Sequence, residues 1–321
     1  MNLLEQQAAN RRRTFLVMIA FVLFLAVIGG GVDFFLIGGG QFYLPIATTG
    51  AVGIGFFSSL ITYFHGDKAI LASSRAQPVD RTLASATNDD DRLRYQQFKN
   101  IVEEVAIAAG LPAPRPYVIA DQDPNAFATG RDPVHASIAV TEGLLRQLNR
   151  EELQGVVAHE MGHVRNLDIR LLMIISSLVG AVVLLADWSG RSIGGSDNDE
   201  GGAATWLFFA VWIVAILVAP IVAQIMAMAV SRQREYLADA TGAELTRNPL
   251  ALASALRKID GSTDPTRAIK RGAAALCIAD PTGSSINERE GAFSDLFATH
   301  PPIRKRIEAL NAMAYLGKVP A

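Results

Sequence analysis

The stretch VVAHEMGHVRN, residues Val156–Asn166, contains the pattern H-E-x-x-H at His159, Glu160 and His163. On an α-helix the two histidines lie four residues apart, so they share one face and are separated by one turn. Two imidazole nitrogens in this arrangement can reach one metal ion, and the acid between them can take a proton from a water on that metal. The same pattern also occurs by chance in helices whose histidines only form hydrogen bonds, so the surrounding sequence has to decide.

The composition is that of a membrane protein rather than of an ordinary soluble domain. Of 321 residues, 50% are hydrophobic and only 19% are charged, and the mean hydropathy is +0.26. The net charge of −2 argues against a nucleic-acid-binding protein. The single cysteine, Cys277, excludes an internal disulfide and a zinc site built from cysteines, and its ordinary interpretation is a small buried apolar residue.

Four apolar stretches predict a chain that crosses the membrane four times: Thr14–Ile37, Tyr43–Phe64, Leu171–Leu185 and Trp206–Val230. A spanning helix needs about 20 mainly apolar residues. The third stretch is short and has to borrow from its flanks. Arg11–Arg13 resemble the start of a twin-arginine export signal, but the apolar stretch that follows is too long and a second one comes at once, so a first membrane anchor is the better interpretation.

The basic residues predict the orientation of these spans. Arg11–Arg13 precede the first span, and Arg165 and Arg170 precede the third, whereas the loop between the third and fourth spans carries mainly acidic side chains. The positive-inside rule then places both termini and the polar regions in the cytoplasm. The predicted organisation is an N-terminal membrane hairpin, a first cytoplasmic part with the motif helix, a second membrane hairpin and a second cytoplasmic part, at 1–65, 66–169, 170–230 and 231–321.

The first cytoplasmic part mixes helix and strand signals. Arg92–Ala109 has the apolar spacing of a helix, and Tyr117–Ala120 and Ala136–Thr141 have the composition of strands, with an extended segment at Asn125–Gly130 between them. Asn149 is placed to cap the helix that carries the histidines. The predicted fold class is therefore α+β, mainly helical, with a small β-sheet beside the motif helix.

A catalytic zinc site needs a third protein ligand, and the residues after His163 do not supply the extension H-x-x-G-x-x-H. If the motif helix continues to Arg170 at the membrane boundary, His163 lies about 10 Å below that boundary. The fourth span returns antiparallel, and a helix continuing from it would carry Glu235 about 7–9 Å below the boundary. Asp239 lies one turn further and could accept a hydrogen bond from a liganding histidine.

Three alternatives stay open for this third ligand. Asp168 lies five residues after His163 and could supply the ligand itself. Glu244 is a carboxylate on the same predicted helix, but the same arithmetic places it too deep by about 13 Å. Glu235 could also be a solvated charge that pairs with Arg232.

Four motifs together resemble those of the HtpX-type membrane zinc endopeptidases, which are related to the CAAX prenyl endopeptidases. The motifs are PNAFATG, HEMGH, SRQREYLAD and THPPIRKRIEAL, at Pro124–Gly130, His159–His163, Ser231–Asp239 and Thr299–Leu310. The resemblance covers nearly the whole chain. It implies a zincin-like metalloprotease domain joined to four transmembrane helices, with one zinc ion per chain.

The resemblance also implies roles for single residues. His159, His163 and Glu235 match the zinc ligands of the family, and Glu160 matches its catalytic base. Asp239 matches an acid behind the ligands. By the same resemblance, Asn125 lies on the substrate side of the zinc and His300 helps to stabilise the oxyanion, although a turn residue and a neighbour of a helix cap are the plain alternatives for these two.

The resemblance further implies an integral, multi-pass protein of the bacterial inner (cell) membrane that acts in protein quality control and the stress response. We expect unfolded or damaged membrane proteins as substrates, with the chain itself as a further target of cleavage. We expect the substrate to bind as an extended strand against an edge strand near Ala136–Val140. A CAAX-type processing protease and a non-catalytic adaptor that holds zinc are the alternatives. Four spans argue against the first, and an intact Glu160 argues against the second.

Overall fold

Helices make up most of the part of the chain that the computed structural model describes, which is residues 3–37, 45–176, 232–261, 269, 276–278 and 301–316. The helices are α1 (Leu3–Ile37), α2 (Ile46–Ser73), α3 (Val79–Ser85), α4 (Asp89–Ala109), α5 (Glu142–Gln147), α6 (Arg150–Arg165), α7 (168–176), α8 (Arg232–Thr246), α9 (Pro249–Asp260) and α10 (Ile303–Leu316). The strands are β1 (Gln77–Pro78), β2 (Arg115–Ile119), β3 (Ala126–Thr129) and β4 (Ser137–Thr141).

Local signals explain where the predicted elements begin. α4 starts at Asp89, three residues before the predicted start at Arg92, because the side chain of Asn88 accepts a hydrogen bond from the backbone N–H of Asp90 at 2.9 Å. α6 starts after Asn149, as predicted. The mainly helical fold with one small sheet confirms the α+β class.

The four strands form one mixed sheet in the order β1-β2-β4-β3. β2 and β4 run parallel, and β1 and β3 are antiparallel to their neighbours. β4 therefore lies between β2 and β3, and the prediction of an edge strand at Ala136–Val140 is wrong. The sequence could not reveal this, because a strand of small and branched side chains that is buried along its whole length has no alternation that distinguishes one neighbour from two.

The two faces of the sheet pack against different parts of the chain. Val118, Ile138 and Val140 point into a core that they share with α4 and α6. The alternate positions Ile119 and Ala139 point to the other side, where they meet the end of α2 and the start of α7. The sheet thus separates the motif helix from the helices that lead towards the predicted membrane spans.

The motif helix does not continue into the third predicted span, so the expectation of one helix from His163 to Arg170 is wrong. α6 ends at Arg165, Asn166 forms its C-cap, and Leu167 has a left-handed backbone with φ of 60°. The chain then turns into α7, whose residues 171–175 are buried inside the protein. This break brings the side chain of Asp168 back towards α6.

α1 and α2 pack side by side as a helical hairpin. Gln7–Gly30 of α1 is the one segment, within the described residues, that is long and apolar enough to cross a membrane, and only 11% of its most apolar window is buried. α2 runs past Phe64 without a break and buries Ile70 and Leu71 against the sheet. The remainder of the third predicted span and all of the fourth lie outside the described residues.

Candidate metal centre

The motif helix α6 is fixed at its N-terminal end by a capping box. The side chain of Asn149 accepts a hydrogen bond from the backbone N–H of Glu152, and the Glu152 carboxylate accepts one from the backbone N–H of Asn149, both at 2.9 Å. Glu152 also accepts hydrogen bonds from Ser254 and Lys258 of α9, at 2.8 and 2.7 Å. These bonds fix the position of the N-terminal end of α6, and the two histidines lie further along the same helix.

α6 and α8 approach each other closely because glycines lie at their crossing. A side-chain carbon on Gly162 would lie 3.1 Å from the Cα atom of Ala238, and one on Gly242 would lie 3.0 Å from the backbone nitrogen of His159. The absence of a side chain at Gly162 thus leaves room for the backbone of α8. The close crossing carries Glu235 and Asp239 over the face of α6 that holds both histidines.

The structure brings His159, His163 and Glu235 together in one buried cluster, with one ligand atom from each within 4.8 Å of the others. The two Nε2 atoms are 3.2 Å apart, and the Glu235 carboxylate oxygens lie 3.7 Å from Nε2 of His159 and 3.5 Å from Nε2 of His163. Ligand atoms at the corners of a tetrahedron with bonds of about 2.0–2.1 Å would be about 3.3 Å apart. The three side chains therefore fit a tetrahedral metal ion with one corner left open.

A carboxylate behind each ring fixes the direction of the histidines. Nδ1 of His159 lies 2.9 Å from Asp239, and Nδ1 of His163 lies 3.1 Å from Asp168. Since a carboxylate only accepts hydrogen bonds, each Nδ1 carries the proton and each Nε2 turns its lone pair towards the same point. Two lone pairs facing each other at 3.2 Å repel unless a metal ion or a proton lies between them. Of the alternative third ligands, Asp168 thus lies behind the ring of His163 and outside the cluster of possible metal ligands, and Glu244 is exposed.

The sequence interpretation missed Arg306 of α10, which is fully buried beside these groups. Its guanidinium donates two hydrogen bonds to Asp239, at 2.9 and 2.7 Å, and lies 3.5 Å from Glu235. Burial alone would raise the pKa of Asp239, but the guanidinium outweighs it and lowers that pKa to about 2. The motif THPPIRKRIEAL contained this arginine, but nothing in its spacing pointed to Asp239.

The buried charges around the cluster do not balance. Four carboxylates face only two guanidinium groups in the described part of this region: Glu160, Asp168, Glu235 and Asp239 against Arg234 and Arg306. Burial lowers the pKa of His163, but the nearby carboxylates of Glu235 and Asp168 outweigh it and raise that pKa to about 9. The site therefore favours positive charge at its centre, which a bound metal cation or a proton on His163 would supply.

Glu160 lies in the same buried region, with only 1% of its surface exposed. Its carboxylate accepts a hydrogen bond from the backbone N–H of Ala128 in β3, and burial raises its pKa to about 7. Its Oε2 atom has no hydrogen-bond partner within the described residues. A buried acid with one free oxygen beside a cluster of ligands is equipped to exchange a proton.

The N-terminal part of α1 contacts the end of the motif helix, which the sequence did not suggest. The side-chain amide of Asn10 donates to Asp168 at 2.7 Å and to the backbone carbonyl of Asn166 at 2.9 Å. Asp168 also pairs with Arg234 of α8 at 3.0 Å. The carboxylate behind His163 is therefore held by three different helices.

The structure says less about the predicted roles of Asn125 and His300. Asn125 is buried at the start of β3, where its side chain accepts a hydrogen bond from the backbone N–H of Ala126 at 3.0 Å. Its backbone N–H donates to the hydroxyl of Thr141 at 2.9 Å. His300 lies outside the described residues, so its predicted role stays a prediction.

Known proteins resemble this chain over almost its full length. A sequence model described as peptidase family M48 matches residues 92–314. The protease HtpX homolog of Caldanaerobacter subterraneus subsp. tengcongensis is 42% identical and covers 97% of this chain and 98% of its own length. Those of Thermoanaerobacter pseudethanolicus and Streptococcus gordonii are 42% and 37% identical, with 97% of this chain and 98% and 100% of their own lengths covered. The crystal structure of S. mikatae Ste24p superposes with a TM-score of 0.49 at 16% identity, over 96% of this chain and 67% of that one.

Proposed function

We propose, since this chain belongs to peptidase family M48 and is a metalloendopeptidase of the membrane, that it uses one zinc ion to cleave misfolded or damaged membrane proteins on the cytoplasmic side. The observation that carries the proposal is the convergence of two imidazole nitrogens and one carboxylate on one buried point, beside an acid with a free oxygen. Two histidines and one glutamate form the ligand set of catalytic zinc sites that keep a fourth position open.

The chain's own side chains have separate roles in this proposal. His159, His163 and Glu235 would hold the ion, and the acids hydrogen-bonded to the rings, Asp239 and Asp168, would keep both Nε2 atoms directed at it. When bound, zinc lowers the pKa of a water molecule and polarises the peptide carbonyl. The close crossing of α6 and α8 fixes the distance between the ligands, so little rearrangement is needed when the ion binds.

Glu160 is the proposed general base. One of its oxygens is held by the N–H of Ala128, which leaves Oε2 to take the proton of the attacking water and to pass it to the leaving nitrogen. Such proton transfer typically contributes about 10²–10⁴-fold to the rate.

Asn125 and His300 are proposed to act on the substrate side, on the strength of the motifs alone. Asn125 would contact the substrate beside the metal, and His300 would donate a hydrogen bond to the oxyanion. Removal of one well-placed oxyanion donor costs roughly 3–4 kcal/mol in the transition state.

The substrate is proposed to bind as an extended strand beside β3, and no longer beside β4. The backbone carbonyl of Ala126 already accepts a hydrogen bond from Ile278 at 2.9 Å, and Phe127 forms a single bridge with Cys277. The substrate would therefore add to the sheet further along β3, towards Gly130, close to the strand residue that holds Glu160. Backbone pairing of this kind suits a protease that accepts many sequences.

The four-span topology with cytoplasmic termini is part of the proposal. The long exposed apolar surface of α1 supports the first span, and the continuous α2 supports a direct connection from the second span into the protease part. Reporter fusions that fluoresce only in the cytoplasm test it: a fusion after Ala321 should fluoresce and one within 189–204 should not. Fluorescence from both would contradict the second hairpin.

The zinc assignment is tested on the purified full chain in detergent. Mass spectrometry should find one zinc per chain, and casein cleavage should stop on addition of 1,10-phenanthroline and return with zinc. Glu235→Ala should lose the zinc, whereas its matched control Glu244→Ala, an exposed acid on the same helix, should keep it. Zinc retained by Glu235→Ala would contradict the ligand set, and cleavage of a prenylated peptide but not of casein would favour a processing protease.

A further inference from the structure

A cavity of about 390 Å³ opens beside α2, one turn past the apolar stretch predicted to span the membrane. We call it the boundary cavity. It is lined by side chains from α2, from the start of β2 and from the turn between β3 and β4, among them Phe64, Asp67, Lys68, Arg115, Arg131 and His135. It shares no side chain with the metal centre, and nothing in the proposed peptidase mechanism uses it.

The boundary cavity carries an excess of positive charge. Lys68, Arg115 and Arg131 face it, against the single lining carboxylate of Asp67. That carboxylate is buried and lies 3.6 Å from the guanidinium of Arg115. Lys68 is exposed and has no ion-pair partner within the described residues. The cavity therefore offers at least one cation that no described side chain neutralises.

Arg131 is held in place before any ligand arrives. Its guanidinium lies 5.2 Å from the centre of the Phe64 ring and 3.4 Å from Asp132, and it donates a hydrogen bond to Nε2 of His135 at 2.9 Å. The side chain of Arg170 donates to the backbone carbonyl of Arg131. A guanidinium has five N–H donors in a fixed plane, so these contacts leave donors for a ligand at little cost in side-chain entropy.

An exposed apolar stripe on α2 leads into the boundary cavity. Phe57, Ile61 and Phe64 are spaced by four and three residues, so they lie on one face of the helix, and Lys68 follows one turn later. Their side chains are 61%, 62% and 45% exposed. A ligand that fits both features has an apolar tail for the stripe and an anionic head for the cavity.

We propose that the boundary cavity binds the phosphate of an anionic phospholipid, with an acyl chain lying along the stripe of Phe57, Ile61 and Phe64. Phosphate oxygens accept paired hydrogen bonds from guanidinium groups, and basic pockets at the cytoplasmic ends of membrane helices recognise anionic headgroups. The inference rests on the proposed membrane placement of α2 and is independent of the zinc chemistry. The bound lipid would fix the depth at which the protease part lies against the membrane.

Native mass spectrometry of the full chain tests this inference, with phosphatidylglycerol or phosphatidylcholine added to the detergent. The wild type should bind phosphatidylglycerol in preference to phosphatidylcholine. Each cation removed near an anionic lipid weakens binding about fivefold, so the triple variant Lys68→Gln/Arg115→Gln/Arg131→Gln should bind phosphatidylglycerol about a hundredfold more weakly. A matched control loses three exposed cations elsewhere and should keep the preference: Arg81→Gln/Arg92→Gln/Lys305→Gln.

A second variant keeps the test informative if the triple variant does not fold. Lys68→Glu changes one exposed side chain, so it should fold normally and still lose the preference for phosphatidylglycerol. An unchanged preference in Lys68→Glu and the triple variant would overturn the inference. If inorganic phosphate stabilises the wild type as much as phosphatidylglycerol does, the cavity is a phosphate site and the lipid assignment is overturned. Casein cleavage in neutral detergent, measured in parallel, reports separately on the proposed peptidase function.

Discussion

Replacing Arg306 by methionine should destabilise the protein severely, because it leaves a charge in the interior without its partner. Both hydrogen bonds to Asp239, at 2.9 and 2.7 Å, would be lost, and the carboxylate is completely buried. Breaking a buried ion pair from one side typically costs about 3–5 kcal/mol. We expect a loss of this size in the free energy of unfolding of Arg306→Met in the zinc-free state.

The double variant shows whether the ion pair itself is responsible. Asp239→Asn removes the shorter of the two ion pairs of the buried guanidinium, which then keeps only Glu235 at 3.5 Å. In Arg306→Met/Asp239→Asn neither charge is left alone, so the loss should be smaller than the sum of the two single losses by more than about 1 kcal/mol. Lys305→Met, an exposed neighbour on α10, is the matched control and should change the stability by no more than about 0.5 kcal/mol.

Urea titration of the purified chain in detergent, followed by far-ultraviolet circular dichroism, gives these free energies once refolding is shown to be reversible. The importance of the buried ion pair is refuted if Arg306→Met is as stable as Lys305→Met. It is also refuted if the two single losses add within about 0.5 kcal/mol in the double variant, since independent sites are additive to that extent.

Further predictions concern the helix crossing, the first helix and acid. Gly162→Val should be less stable than the wild type and should not bind zinc, because a side chain there would meet the backbone of Ala238 at 3.1 Å. Gly53→Ala, which has open space around it, should keep both its stability and its zinc. Zinc binding by both variants would contradict the close crossing of α6 and α8. Asn10→Leu should weaken zinc binding by up to about tenfold in a competition with a coloured chelator, because the carboxylate behind His163 loses a donor, and unchanged affinity would rule out this support. The folded-state pKa of Asp239 is lowered to about 2 from an unfolded value of about 3.9, so its contribution to stability should be present above pH about 4 and disappear as the pH falls through about 2. Acid unfolding of zinc-free Asp239→Asn that matches the wild type in this range would contradict it.

The local parts of the fold could be predicted because neighbouring residues determine them. Asn149 and Glu152 form their capping box within four residues, and the four-residue spacing of His159 and His163 follows from the geometry of any α-helix. Glu235 is predicted by a calculation of depth that assumes one unbroken helix from His163 to Arg170, and it lies beside the two histidines although that helix ends at Arg165.

Features that depend on distant contacts could not be predicted. Asn10 meets Asp168 across 158 positions of sequence, and Arg306 meets Asp239 across 67. The break after α6 depends on a left-handed leucine, Leu167, for which no local signal exists. These are the contacts that hold the carboxylates behind the two histidines, so the sequence indicates the proposed metal ligands more clearly than the residues that support them.

The role of Glu160 as general base is tested most directly by comparing the wild type with Glu160→Gln in detergent, by casein cleavage and by zinc content. We expect one zinc per chain in both proteins and cleavage by the wild type alone, because glutamine keeps the shape of the side chain and cannot take the proton. Glu151→Gln, an exposed acid on the same helix, should cleave like the wild type. Casein cleavage by Glu160→Gln at the wild-type rate, with zinc bound, would contradict the assignment of Glu160 as the general base.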